Sequence, residues 1–372
     1  MRNLYVGMGL LLFLTSPSHA VILGTGDGQG NTTAPADDPG FANVGILGSG
    51  SAVYLGGGWV LTAAHVYNGS GGVPAVTWFQ GTSYANLPGS GVQLLNPPGD
   101  GYTQYSDLEL YQLATAPPLP SLQISSLTPT AGSDVTMIGN GRDRSNTQIG
   151  YWTSSWQPSA TPSTYAGEIW SNMPDLRWGT NVIDQTSVIE GVGTNTEKAF
   201  MTSFSQNGTP YEAQGAPGDS GGGVFYKDPA TGAWNLTGIM FSINGLPGQP
   251  WGTSVFGDVT YSADLSAYRT QIEQTITIPG DLNHDGIVNS QDLALVVSDW
   301  MKTGTGTNDP VGDANHDGIV NTQDIALVSS AMYAGVSVSG SLATVPEPGS
   351  WLLAITAATG LYFWRRSTHR GR

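Results

Sequence analysis

Between residues 21 and 275 the apolar residues arrive in bursts too short for helices. Val53-Tyr54-Leu55, Trp59-Val60-Leu61-Thr62, Leu108-Glu109-Leu110-Tyr111, Val135-Thr136-Met137-Ile138, Gly222-Gly223-Val224-Phe225 and Leu236-Thr237-Gly238-Ile239-Met240 are rich in β-branched and aromatic residues. Clusters of Gly, Pro, Asn and Ser separate them, which is the pattern of strands joined by turns. Glycine fills 52 of 372 positions, about twice its ordinary share, so this punctuation runs through the whole body. Only Asp264 to Glu273 has helical spacing, with Leu265, Tyr268 and Ile272 on one face. The pattern dictates an all-β body, a sandwich or a pair of barrels, closed by one C-terminal helix.

Charge and cysteine content remove several function classes. Twelve Lys and Arg face 28 Asp and Glu, a formal charge of −16, which argues against nucleic acid as a partner because phosphates need cations to neutralise them. With no cysteine there is no disulfide, thiolate zinc site or cysteine nucleophile. The two ends carry addresses. Met1-Arg2-Asn3, the apolar run Leu4 to Leu14 and Ser16-Pro17-Ser18-His19-Ala20 read as a secretory signal over 1–20, with Val21 as the mature terminus. At the other end Val345-Pro346-Glu347-Pro348 precedes an apolar stretch, Trp351 to Trp364, and the basic residues Arg365, Arg366, Arg370 and Arg372. Positive charge there leaves this end cytoplasmic, and the apolar stretch is short for a stable span. Residues 336–344 form a linker. The tail at 345–372 resembles the bacterial PEP-CTERM sorting signal, which implies an exosortase as partner and display at the cell surface, association with the outer membrane or release outside the cell. An ordinary C-terminal anchor is the competing reading.

A repeat lies in between, over 276–335. Asp281-Leu282-Asn283-His284-Asp285-Gly286-Ile287-Val288-Asn289-Ser290-Gln291-Asp292 recurs 32 residues later as Asp313-Ala314-Asn315-His316-Asp317-Gly318-Ile319-Val320-Asn321-Thr322-Gln323-Asp324. Each copy places side-chain oxygens at loop positions 1, 3, 5, 9 and 12, a glycine at 6 and a backbone carbonyl, that of Ile287 or Ile319, at 7. That is the oxygen cage a hard cation requires. An apolar helix follows each loop, and Pro279 rules out an entering helix before the first. The duplicated loop-helix resembles a dockerin, which implies two structural Ca2+ ions, one per loop. It also implies a cohesin-like partner, with a calcium-rigidified spacer or self-association as alternatives.

The chemistry of the body starts at Gly218-Asp219-Ser220-Gly221-Gly222. A serine between glycines permits a tight backbone that exposes its hydroxyl and turns successive N–H groups toward a developing oxyanion. The same string fits the nucleophile elbow of α/β-hydrolases, but that fold needs its histidine after the serine. Of five histidines, His19 lies in the signal, His284 and His316 in the repeated loops and His369 in the tail. His65 is the only one left for the body, and it precedes Ser220. The order is therefore histidine first. An acid belongs between them, and Ser106-Asp107-Leu108-Glu109-Leu110 supplies one at the head of a strand, with Asp100 as the rival in a Pro/Gly loop.

Thr62-Ala63-Ala64-His65, Asp107-Leu108-Glu109-Leu110 and Gly218-Asp219-Ser220-Gly221-Gly222, in this order, resemble the trypsin-like (chymotrypsin-fold) serine proteases over roughly 35–275. The resemblance implies a two-barrel domain over 21–275 and hydrolysis of peptide bonds in a polypeptide substrate, with no cofactor for catalysis. By motif it makes Ser220 the nucleophile, His65 the base and then the acid, and Asp107 the residue that holds the imidazolium. Gly218 and Ser220 become the oxyanion-hole donors. It places Gln214 at the floor of the specificity pocket, where neutrality removes the usual basis for cleavage after Arg or Lys. It also pairs a new N-terminus at Val21 with Asp219 as an activating ion pair. The chain departs from the family at Val66 and Ala216, where cysteines are common. A non-catalytic surface or matrix protein with a protease-like body remains the alternative, and an esterase on the same triad a third.

Overall fold

The computed structural model describes residues 21–334, apart from 29, 70, 100, 146–147, 277–279, 284–287, 305–309 and 316 and the side chains of 172–174 and 333–334. The signal over 1–20, the linker, the tail, the rival acid Asp100 and the loop residues Asp285 and Ile287 lie outside the described residues.

Among the described residues two large antiparallel sheets make the barrels of the body, and a five-stranded and a two-stranded sheet flank them. In the first, seven strands run in the order Thr82–Ala85, Val76–Phe79, Val44–Leu47, Gly50–Gly56, Trp59–Ala63, Tyr105–Gln112 and Val92–Leu95. A bridge between Asn86 and Leu113 ties the far edge of this sheet back to the continuation of Tyr105–Gln112, so the sheet rolls into a barrel. The second sheet closes fully through Arg177–Val192, Asn195–Ser203, Val259–Asp264, Trp234–Asn244, Gly223–Lys227 and Asp134–Gly139. Closure removes the exposed edges that would otherwise pair with other chains. The expected two-barrel, all-β body is present, and a short 3-10 turn, Leu265–Ala267, leads to the closing helix Arg269–Ile276.

Strands buried on both faces explain why the apolar bursts are nearly continuous. In Trp59–Ala63 the odd residues Trp59, Leu61 and Ala63 pack in the core shared by the two barrels, with Ile138, Phe225, Ile239 and Ile272. The even residue Val60 points into the first barrel beside Leu47, Tyr54, Phe79 and Tyr111. Successive strand residues alternate sides, so a strand with a barrel interior on one face and a partner barrel on the other has no solvent face. Each such Val or Leu contributes about 1.5–3 kcal/mol of burial. The interior of the second barrel is lined by Val135, Met137, Ile183, Phe200, Val224 and Met240, and Val21 and Leu23 from the start of the described chain complete it.

The C-terminal module is helical, as expected. Ser290–Ser298 and Thr322–Ala334 each follow one of the repeated loops and pack through Val296, Val320 and Val328. Asn289 caps the first helix, with its side chain on Gln291 N and Asp292 closing a reciprocal capping box.

Candidate active site

Strand register brings the acid to the histidine. Trp59–Ala63 and Tyr105–Gln112 pair with Ala63 opposite Leu108. Just past that pair the chain turns into a single helical turn, Ala64–Tyr67, carrying His65. The Asp107 carboxylate then spans two donors: Oδ2 takes the His65 ring Nδ1 at 2.6 Å, and Oδ1 takes the His65 backbone N–H at 2.9 Å. Asp107 is buried, whereas the His65 side chain is 36% exposed. A proton committed to Nδ1 leaves Nε2 as a lone-pair acceptor on the open side of the ring.

Ser220 reaches this edge from the second barrel. Gly218 and Gly221 have φ of +107° and +88°, conformations that L side chains rarely adopt. A Cβ on Gly221 would sit 2.0 Å from the Ser51 carbonyl oxygen. The loop is tied to the first barrel by Ser51, whose N–H donates to the Ser220 carbonyl and whose hydroxyl donates to the Gly218 carbonyl, both at 2.8 Å. A Cβ on neighbouring Gly50 would touch both Val66, next to His65, and the Ser220 carbonyl. Val66 thus fills the seam where the family commonly has a cysteine. No hydrogen bond joins the Ser220 hydroxyl to His65 among the described residues, a spacing that tightens in many enzymes only when substrate binds.

Two N–H groups face the same loop without partners. The Pro217 carbonyl accepts from Arg142 N at 3.1 Å and the Asp219 carbonyl from Gly222 N at 2.8 Å. In a trans peptide the N–H points opposite to the C=O, so pinning these carbonyls aims the N–H groups of Gly218 and Ser220 away from both donors. Neither has an acceptor among the described residues.

Behind the loop, Asp219 is fully buried and accepts Gly141 N at 2.7 Å and Ala216 N at 2.8 Å. Burial pushes its carboxyl up to about 7, opposed by these N–H groups, by that of Val21 and by the Arg177 charge. Val21 is itself fully buried at φ +30°, and Ile22–Leu23 pairs with Ala213–Gln214 immediately upstream of the Ser220 loop. Two buried arginines hold the segment that follows. Arg144 donates to the carbonyls of Leu23 and Gly26, each at 2.8 Å, and to Glu168 at 2.9 Å, and Arg177 donates to those of Gly28 and Gly30.

Sequence reasoning missed two acids. Glu197, on a second-barrel strand, accepts the Asp107 backbone N–H at 2.6 Å, and burial drives its carboxyl well above the usual range, with Asp107 adding to the effect. Asp258 shares the lining of a cavity of about 240 Å3 with Gln214. Neither acid sits in a recognisable motif, and Glu197 lies in the polar run Thr194-Asn195-Thr196-Glu197-Lys198, so no local pattern marks it.

In the C-terminal module Asp281, Asp292, Asp313 and Asp324, at loop positions 1 and 12, are all buried. Asp313 accepts the N–H groups of Asp317 and Gly318, and Asp324 those of Asn315 and Asn321. Asp292 accepts from Leu282, Asn283 and Asn289. Asn283, Asn315 and Asn321 also turn side chains into the loops, and Asn321 donates to the Ile319 carbonyl at 3.0 Å. Among the described residues no three acidic or histidine side chains converge on one point. The donor set is nevertheless all oxygen, and burying four carboxylates carries a cost that a divalent cation offsets. The residues present fit calcium.

Comparison with known proteins follows the same division. Residues 48–238 match the trypsin-like peptidase domain and residues 279–332 the dockerin type I domain. No curated protein matches. Among solved structures, the inactive form of Rv3671c from M. tuberculosis H37Rv is 13% identical, with a TM-score of 0.38 over 66% of this chain and 91% of that one. The HtrA-type protease AlgW with decapeptide is 19% identical, with a TM-score of 0.35 over 63% of this chain and 52% of its own. Since the peptidase match alone spans more than half of the chain, this protein belongs to the trypsin-like peptidases, as a serine endopeptidase with a dockerin type I domain at its C-terminal side.

Proposed function

We propose that the chain is an exported serine endopeptidase in which Ser220, His65 and Asp107 form the catalytic triad. The 2.6 Å contact between His65 Nδ1 and Asp107 Oδ2 carries this reading, because it fixes the tautomer that accepts a proton at Nε2. Ser220 Oγ attacks the carbonyl carbon of the scissile peptide as His65 Nε2 takes its proton. The oxyanion so formed is met by the N–H groups of Gly218 and Ser220. His65 then protonates the departing amine, leaving an acyl-enzyme, and a water activated by the same nitrogen releases the acid and restores Ser220.

Removal of residues 1–20 frees the Val21 amine, and its ammonium then pairs with Asp219 where the amide N–H now donates. On this reading export and activation are one cleavage. In the dockerin module Asp281, Asn283, Asp285, Asn289, Asp292 and the Ile287 carbonyl would hold one Ca2+. Asp313, Asn315, Asp317, Asn321, Asp324 and the Ile319 carbonyl would hold the second. The ion supplies cross-linking of each loop and takes no part in acyl transfer. The module docks a cohesin-like partner or a second copy, and the tail is read by an exosortase that delivers the protein to the cell surface. Among the described residues no helix is long and apolar enough to cross a membrane.

The test is labelling of the chain beginning at Val21 with a fluorophosphonate, read by intact mass. One adduct on the native protein and none on Ser220→Ala is the expected result. A native protein that stays unlabelled while correctly folded refutes the triad and favours a binding role.

A further inference from the structure

Tyr268, on the turn before the closing helix, meets Asp107 through one buried side chain, Glu197. Tyr268, Glu197 and Asp107 are 1%, 0% and 1% exposed, so their polar atoms must be met from within the protein. Asn96 fixes which way the hydrogen bonds run. Its Nδ2 faces the carbonyls of Thr103, Tyr105 and Thr196 at 3.0, 3.0 and 2.8 Å, so its Oδ1 is the atom that takes the Tyr268 hydroxyl proton, at 2.6 Å. The phenol oxygen in turn accepts the Lys198 N–H at 3.1 Å. A tyrosine hydroxyl has one proton and two lone pairs, so one lone pair stays open. Glu197 faces that hydroxyl. Its Oε2 accepts the Asp107 backbone N–H at 2.6 Å, while its buried Oε1 has no hydrogen-bond partner among the described residues. A proton on Oε1, donated to the Tyr268 oxygen, satisfies both open positions at once. Burial, with Asp107 adding to it, favours that protonated form.

We propose that Tyr268 and Glu197 are positioning residues for the triad, holding the backbone of Asp107 from the second barrel so that its carboxylate stays aligned on His65. The proposal rests on Ser220, His65 and Asp107 as the triad. Both Asp107 carboxylate oxygens are committed to His65, on the ring Nδ1 and on the backbone N–H, so the aim of the carboxylate follows the backbone that carries it. That backbone lies at a weak point of its sheet. Pairing with Val92–Leu95 shifts register between Gln93 and Leu95, opposite Glu109 and Tyr105, and it is Glu197 that takes the Asp107 N–H between them. Further ties hold the approach to Asp107 on the second barrel and the closing helix. Thr103 and Thr196 exchange N–H to hydroxyl bonds at 2.6 and 2.8 Å, and Gln271 Oε1 accepts the Leu95 N–H at 2.8 Å. A neutral Glu197 makes its bond without setting a second negative charge against Asp107.

The experiment measures kcat, KM and the pH profile of kcat/KM per fluorophosphonate-labelled site, in the full chain beginning at Val21. The variants are Tyr268→Phe, Glu197→Leu, Glu197→Gln and the double variant Tyr268→Phe/Glu197→Leu. Tyr268→Phe keeps the ring and removes only the hydroxyl. It should lower kcat about tenfold with KM changed by less than about twofold. It should also move the acid limb of the profile to lower pH, because a displaced Asp107 holds the imidazolium less well. Glu197→Gln, whose amide accepts from Asp107 and donates to Tyr268, should keep most of kcat. The double variant should lose no more than the worse single one, because both cut the same chain of bonds. Molecules that fail to fold take no label and drop out of the rate per site. Losses that multiply to about 100-fold in the double variant, or a lower labelled fraction with rate and pH profile per site unchanged, overturn the positioning role alone. A native protein that takes no label overturns the nucleophile and this inference with it.

Discussion

The contact between Val21 and Asp219 predicts a stability difference that opens and closes with pH. The perturbation is one extra residue: a chain beginning at Ala20 keeps an amide at Val21, and one beginning at Val21 has an ammonium there. In the extended chain the folded Asp219 carboxyl is up at about 7 against an ordinary 3.8, with burial as the main cause. Between those values the folded state holds a proton that the unfolded chain has lost, so stability falls as pH rises from about 4 to about 7. The rise corresponds to roughly 4 kcal/mol of lost stability, complete above the folded value. An ammonium in contact favours the ionised carboxylate and cancels much of this loss. Cleavage also removes the peptide bond that defines φ at Val21. A β-branched residue at +30° is strained by about 1–3 kcal/mol, and the mature end is free of it. The assay is urea denaturation of both chains at pH 4, 5.5, 7 and 8. The chain beginning at Val21 should gain with each step to pH 7, reaching a few kcal/mol, and the gain should shrink again above about pH 8 as the amine loses its proton. Only this chain should hydrolyse peptide at full rate. A gap that is constant across pH, or full activity in the extended chain, refutes the ion pair.

Three other perturbations follow from the site. Glu197→Leu removes the acceptor of the Asp107 N–H and should lower kcat about tenfold, with KM little changed, while Glu197→Gln, which keeps a neutral acceptor, should retain most of kcat; equal losses in both would make Glu197 a packing residue only. Gly221→Ala places a Cβ 2.0 Å from the Ser51 carbonyl at φ +88°, and should abolish fluorophosphonate labelling and cost more than about 2 kcal/mol in denaturation. Chelation with EDTA should reduce the helix content of the C-terminal module, measured by circular dichroism, and restored calcium should recover it, while peptide hydrolysis continues unchanged.

The proposed triad residues could be picked out of the sequence because each sits in a short local pattern. The apolar strand before His65 and the Asp-Leu-x-Leu strand after it are both buried on two faces, so both read as strands, and their pairing follows from the barrel. What lay hidden depends on register between distant segments. Glu197 reaches Asp107 across 90 residues of chain, and Asp258 meets Gln214 across 44. No spacing along the sequence encodes either meeting. The leader Gly24-Thr25-Gly26-Asp27-Gly28 illustrates the same point from the other side. Its composition suits a solvated loop, yet Arg144 and Arg177, 2% and 0% exposed, hold four of the carbonyls between Leu23 and Gly30. In a chain with only 12 basic residues, four of them in the last eight positions, an arginine in the apolar run Leu176-Arg177-Trp178 was the one hint of a buried role.

The absence of cysteine takes its physical meaning from the seam between the barrels. A covalent bridge beside His65 would restrain the unfolded chain and fix the distance from the histidine turn to the neighbouring hairpin. Here that distance is set by shape. Gly50 has no side chain, and Val66 packs where one would stand, 2.8 Å from the place of a Cβ. The Ser220 loop is fixed in turn by Ser51, which donates to the carbonyls of Ser220 and Gly218 and accepts the Asn140 N–H at 2.8 Å. These three bonds contribute about 0.5–1.5 kcal/mol each, comparable in sum to one disulfide. They differ from a disulfide in what they control. A disulfide raises global stability wherever it lies, whereas bonds from one hairpin to the carbonyls of Gly218 and Ser220 hold the position of the loop whose N–H groups are proposed to meet the oxyanion. The seam therefore couples the folding of the first barrel to the position of the Ser220 loop on the second through Ser51, a coupling that does not depend on the redox environment.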